Sequence, residues 1–188
     1  MKVVFLDRDG TLIDESDDGK VDRLDKLAFK PGVFEGLRLL RDHGYELVIV
    51  TNQNGIGSDE FPWDAFQRVQ DVFLDEMEKH GIRFFDVFIC PHLEEERCEC
   101  RKPAIGLVKN FLWECEVELE KSYMIGDRST DVRFGANLGV KSFFLSNERF
   151  ELEEDLREDP EVHVEQVASF SDAVEKILAE NLKAGESA

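Results

Sequence analysis

The sequence predicts an α/β fold, a Rossmann-like doubly wound parallel sheet in one domain. Short apolar runs of strand length alternate with longer stretches of helical period, the pattern of a parallel sheet covered by helices on both faces. Several of the apolar runs end in segments rich in acids, hydroxyls or glycine, and such sheets bind ligands beyond the C-terminal ends of their strands. The chain has 188 residues, of which 42% are hydrophobic and 15 are Phe, enough for one core and too few for two full-sized domains.

Residues 3–6 form the first compact apolar run, read as a buried strand. Residues 14–30 are charged and irregular, read as a loop. Pro31-Gly32 opens a helical pattern through Val33, Leu37, Leu39 and Leu40 that Gly44 ends. Residues 46–50 are the second strand, and 52–62, with two Gly and one Pro, a loop. A long amphipathic helix over 63–80 places Phe66, Val69, Phe73 and Met77 on one face, and Gly81 stops it. Residues 84–90 give a third strand, 91–103 a loop crowded with Cys, His and charge, and 105–113 a helix. A fourth strand at 122–125 leads into a helix over about 130–138, and 140–145 is a fifth strand. Eight acids against two bases over 148–161 predict a solvated face, 171–182 a final helix, and the last few residues fraying.

The balance of 42 Asp+Glu against 23 Lys+Arg leaves a net charge of −19, which argues against a basic groove for nucleic acid. No apolar run approaches the ~20 residues of a membrane span, and the N-terminal run is too short for a signal peptide. The expected compartment is the cytoplasm, where four cysteines suit metal binding or free thiols better than disulfides.

Three strand ends carry chemistry. Asp7-Arg8-Asp9-Gly10-Thr11 follows the first strand. Two carboxylates so close need a cation or shared protons. Their hard oxygens suit Mg²⁺, and one could act as a nucleophile; Asp-Gly is also a common turn pair. Thr51-Asn52-Gln53-Asn54-Gly55 follows the second strand and offers a hydroxyl and backbone N–H groups to a phosphoryl group, or simply makes a turn. Gly126-Asp127 ends the fourth strand, with Asp131 in the first turn of the next helix, where an acid is also favoured by the helix dipole alone. Lys102, in Arg101-Lys102-Pro103, could neutralise a phosphate. A separate cluster, Cys90, His92, Cys98 and Cys100, supplies four soft ligands, the number that fills a tetrahedral zinc shell and leaves no open position. This zinc is read as structural, pinning a polar loop. Cys115 is read as a core thiol; His43, His80 and His163 receive no role.

Together, Asp7, Asp9, Thr51, Lys102 and Asp127 fall in this order along one sheet edge, and the chain resembles the haloacid dehalogenase (HAD) superfamily of aspartate-dependent phosphohydrolases. The resemblance covers roughly residues 2–145 and implies roles. Asp7 would be the nucleophile. Asp9 would protonate the leaving alcohol, later take a proton from water, and offer its backbone carbonyl to Mg²⁺. Thr51, with Asn52 beside it, and Lys102 would hold the phosphoryl group. Asp7, Asp9 and Asp127 would bind Mg²⁺, while Asp131 would either join them or orient Lys102. The short zinc loop, 90–103, resembles that of the histidinol-phosphate phosphatases, as do the segments 21–33 and 51–62. This implies Mg²⁺-dependent hydrolysis of histidinol phosphate through an aspartyl-phosphate; the alternatives are a heptose bisphosphate phosphatase with the same chemistry and, further off, a non-catalytic binding module. The expected partner is a small phosphate ester, and in some bacteria the enzyme is fused to imidazoleglycerol-phosphate dehydratase. The domain is expected to span 1–188 without a large cap, its site walled by the 14–30, 52–62 and zinc loops. Glu15, Asp17 and Asp18 are candidates to attract a cationic substrate end.

Overall fold

The computed structural model describes residues 1–186; fraying at 187–188 falls outside the described residues. Six strands form one sheet: β1 (Lys2–Leu6), β2 (Tyr45–Asn52), β3 (Asp86–Cys90), β4 (Tyr123–Gly126), β5 (Lys141–Leu145) and β6 (Val164–Val167). Their spatial order is β3-β2-β1-β4-β5-β6, and every neighbouring pair is parallel. The helices are α1 (Val33–Asp42), α2 (Trp63–Lys79), α3 (Lys109–Glu114), α4 (Ser129–Leu138), α5 (Glu154–Glu158) and α6 (Phe170–Glu186).

The period of two along β1 builds both faces. Val4 and Leu6 join Leu47, Ile49 and Ile125 under α1, α2 and α6, where Leu37, Phe73 and Ile177 are fully buried. Val3 and Phe5 join Val48, Val50 and Met124 under α3 and α4, where Phe5 meets the rings of Phe111 and Phe134 edge-on. Apolar side chains on both faces account for the unbroken apolar runs of β1 and β2, as in other parallel sheets.

The fold class and the first five strands agree with the sequence reading, and three details differ. β6, whose residues Val-Glu-Gln-Val carry little apolar signal, extends the sheet beside β5. The third helix is shorter than the 105–113 expected, because the Gly106 N–H donates to the Glu99 carbonyl (3.0 Å) and holds the preceding turn out of helix. The acidic stretch is more than a solvated face. It contains α5, and Leu152 and Leu156 bury with Val132 and Phe144 in a small core of their own. Arg133 fastens it from outside with ion pairs to Glu153 (2.6 Å) and Asp155 (2.7 Å). Among the described residues no helix is long and apolar enough to cross a membrane.

Candidate active site

The strand order reverses between β1 and β4, and the ends of these two strands open the crevice in which ligands of doubly wound sheets sit. The Asp7 N–H donates to the Ile125 carbonyl (3.0 Å), which continues the β1–β4 pairing one residue beyond the strand and sets Asp7 close to Asp127. Gly10 has φ +82°, and a side chain there would run into the Asp127 carboxylate. A side chain at Gly126 would likewise strike Asp131. Both glycines are therefore required by the close approach of the acids.

Asp7, Asp127 and Asp131 are buried and place one carboxylate oxygen each within 4.8 Å of the others. Lys102, itself buried, puts its Nζ 2.7 Å from Asp7 Oδ1 and 2.6 Å from Asp131 Oδ1. Burial disfavours the Lys102 charge, but Asp131 and Asp7 outweigh it and raise the pKa above the ordinary lysine value. Asp131 spends its second oxygen on the Arg128 N–H (3.0 Å), half of a capping box that starts α4. Among the described residues no cation pairs with Asp127 directly: burial first, then Asp7 and Asp131, push its carboxyl up to about 8 against the weaker pull of Arg128. Its Oδ1 is buried with no hydrogen-bond partner among the described residues. An orphaned oxygen in a cluster of like charges is a fit for a hard cation such as Mg²⁺.

Thr51, next to last in β2, lines the same pocket. Its Oγ1 accepts from Gln53 Nε2 (2.9 Å), which leaves its own proton free to donate. Asn52 lines the pocket too, but its side-chain amide is engaged elsewhere: Oδ1 accepts the Lys102 N–H (2.9 Å) and Nδ2 donates to the Lys102 carbonyl (3.2 Å). Asp9 lines the pocket with its carboxylate held by Arg8 and Gln53.

The pocket walls include the three expected loops, through Glu15, Asp18 and Lys20, through Asn52 and Asn54, and through Glu94 and Arg101. A fourth wall, Phe150, Glu151 and Glu153 from the acidic segment, had no local sequence signal, and neither did Arg128, whose guanidinium lies 4.4 Å from the Phe150 ring centre. The acids of the first loop are largely neutralised. Glu15 pairs with Arg128, and Asp18 with Lys26 (2.8 Å); Asp17 is fully exposed.

The second cluster lies at the end of β3. Cys90 Sγ is 3.6 Å from His92 Nδ1, 3.6 Å from Cys98 Sγ and 3.2 Å from Cys100 Sγ, and Cys100 lies 3.0 Å from His92 Nδ1 and 3.2 Å from Cys98. Zinc–ligand bonds of 2.0–2.3 Å give a tetrahedron with edges of roughly 3.5–3.8 Å, so the four atoms need little movement to enclose the ion. Burial, with the Cys100 thiol beside it, pushes Cys90 up to about 12, a cost that a thiolate-binding cation removes. Cys115 is a half-buried thiol packed beside the α3 core.

A buried aspartate just beyond the first strand, a lysine bound to it and an acidic pair from the neighbouring strand and helix meet at one edge of this HAD-type fold, an arrangement suited to a divalent cation and a phosphate ester. A family model described as polynucleotide kinase 3 phosphatase matches residues 2–150, and the chain belongs to that family. Among curated proteins it is similar to the histidine biosynthesis bifunctional protein HisB of Legionella pneumophila strain Lens, with 45% identity over 145 residues covering 77% of this chain and 41% of that protein. HisB of Blochmanniella floridana shows 43% identity over 141 residues, covering 74% of this chain and 40% of that protein. The chain thus spans about two fifths of the length of these relatives. Among solved structures, the D,D-heptose bisphosphate phosphatase of B. bronchiseptica, complexed with magnesium and phosphate, superposes with a TM-score of 0.81 at 24% identity, covering 96% of this chain and 99% of that one. An HAD-like phosphatase of Mesorhizobium loti gives 0.77 at 24% identity, covering 95% and 85%. These likenesses carry the fold.

Proposed function

We propose that this chain is a histidinol-phosphate phosphatase that works through an aspartyl-phosphate on Asp7. The observation that carries the chemistry is the buried Lys102 ammonium 2.7 Å from Asp7 in the pocket lining; the similarity to HisB supports the substrate. In this reading a carboxylate oxygen of Asp7 attacks phosphorus. Asp9 gives its proton to the departing alkoxide, which leaves as the alcohol, and then takes a proton from water as that water attacks the acyl-phosphate. Inorganic phosphate and free Asp7 result. The Thr51 hydroxyl and Lys102 ammonium donate to the transferring oxygens. Asp131 orients Lys102 from behind, and Asn52 fixes its backbone. Bound by Asp7, Asp127 and the Asp9 carbonyl, Mg²⁺ would supply positive charge against the phosphoryl oxygens.

The Cys90, His92, Cys98 and Cys100 set would hold a structural zinc. The thiol-rich loop fits a reducing cytoplasm, and residues 1–188 would work as one phosphatase domain. The relatives are named bifunctional, and the proposal extends to association with an imidazoleglycerol-phosphate dehydratase. Phosphate release with Mg²⁺, from histidinol phosphate and from a heptose bisphosphate side by side, tests the substrate. A strong preference for histidinol phosphate is expected; preference for the sugar would reassign the substrate and leave the roles of Asp7 and Asp9 standing.

A further inference from the structure

Arg8 is the largest fully buried side chain among the described residues and sits between the two acids of the first motif. A buried guanidinium needs partners for its donors. Its Nε donates to Asp9 Oδ1 (3.1 Å) and its Nη2 to Asp9 Oδ2 (3.2 Å), a forked grip on the carboxylate. Nη1 donates to Gln70 Oε1 (2.6 Å), and the guanidinium carbon lies 5.0 Å from the centre of the Phe66 ring. Gln70 and Phe66 both belong to α2 and are buried. Gln53 Nε2 also donates to Asp9 Oδ2 (2.5 Å) while bridging to Thr51. Asp9 is thus held by donors from two side chains and tied, through Arg8, to Gln70 of α2, more than sixty residues along the chain.

We propose that Arg8, braced by Gln70 and Phe66, is a positioning residue that fixes the orientation of Asp9 for proton transfer to the leaving group. The inference rests on the role given to Asp9 above. It explains why a full positive charge is buried beside the site yet away from the pocket surface. Arg8 does not line the pocket, so it acts through Asp9 rather than on substrate. A proton donor displaced by a fraction of an ångström loses most of its advantage.

The test compares leaving groups. An alkyl phosphate needs a proton on its departing oxygen, whereas 4-nitrophenolate leaves without one. Single-turnover phosphoryl transfer with Mg²⁺ would be measured for wild type, Arg8→Lys, Gln70→Met and Asp9→Asn, with melting curves for each. Gln70→Met keeps volume and removes the brace, so it serves if Arg8→Lys folds poorly. Transfer from the alkyl ester is expected to fall by about 10- to 100-fold in Arg8→Lys and less in Gln70→Met, with transfer from 4-nitrophenyl phosphate within about threefold of wild type. Equal losses on both esters would make Arg8 part of the general architecture and overturn the proposal, as would no loss on either. If Asp9→Asn itself shows no leaving-group bias, the role of Asp9 fails and the positioning role fails with it; a bias in Asp9→Asn without one in Arg8→Lys and Gln70→Met rejects the positioning role alone.

Discussion

Asn52 and Lys102 hold each other through both ends of one side-chain amide. The Lys102 N–H reaches Asn52 Oδ1 at 2.9 Å while Asn52 Nδ2 reaches the Lys102 carbonyl at 3.2 Å. The clamp joins the end of β2 to the end of the zinc loop and sets where the Lys102 ammonium emerges beside Asp7.

Asn52→Ala removes both bonds and leaves the ammonium on a looser tether. Turnover is expected to fall by about 10- to 100-fold with little change in melting temperature. Steady-state kinetics beside a melting curve checks it, and an unaffected kcat would show that Asp7 and Asp131 hold Lys102 unaided.

Asp7→Asn should abolish phosphate release, a loss of about 10³-fold or more, because a neutral amide is a poor nucleophile. Rapid-quench labelling should find no acyl-phosphate on the variant. Wild-type rates would remove Asp7 from the chemistry.

How far the sequence could reveal the site follows from what sets each position. Asp7, Thr51 and Asp127 sit at or just beyond strand ends, and apolar periodicity marks strand ends, so their meeting was legible; Lys102 lies in the loop well beyond β3 and joined them through the order of motifs that resembles the HAD superfamily. Asn52 was legible as part of the site, but its grip on Lys102 depends on how a loop folds back, which no spacing encodes. Arg8 received no role from the sequence; its burial arises because α2 lies across the motif and presents Gln70 and Phe66. β6 went unread because a short edge strand with Glu and Gln at its centre has neither an apolar run nor a helical period. Phe150 enters the pocket wall through tertiary folding of the acidic segment.

If the four-ligand cluster holds zinc as proposed, a chelator should lower the melting temperature by several degrees before Mg²⁺-dependent turnover is affected. Metal analysis should return about one zinc per chain. A zinc-free protein with unchanged melting would reject the four-ligand site. Withdrawing Mg²⁺ alone should stop turnover and leave the fold intact.

Leu156→Ala opens a cavity under α5, and a loss of about 2–4 kcal/mol is expected from its burial against the small core beside β5. The same variant should raise KM more than it lowers kcat, because it loosens the wall that carries Phe150. Urea unfolding and substrate titration test both parts.

Hydrogen bonds from Lys176 and Lys141 hold Glu165 below the usual glutamate range. A carboxyl whose folded pKa lies below its unfolded value contributes stability at pH values above the unfolded one, and loses it as pH falls through the folded one. The contribution of Glu165 should therefore be level from neutral pH to about 5 and be lost below about 4, so the difference in melting temperature between wild type and Glu165→Gln should shrink over that acid range.

β3 is an outermost strand of the sheet and ends at Cys90, a ligand atom of the thiol cluster. Such a strand presents unpaired N–H and C=O groups to any second chain that approaches. An ion held by Cys90, Cys98 and Cys100 would therefore also guard colloidal behaviour. Preparations stripped of it should turn turbid on storage at concentrations where the loaded protein stays clear.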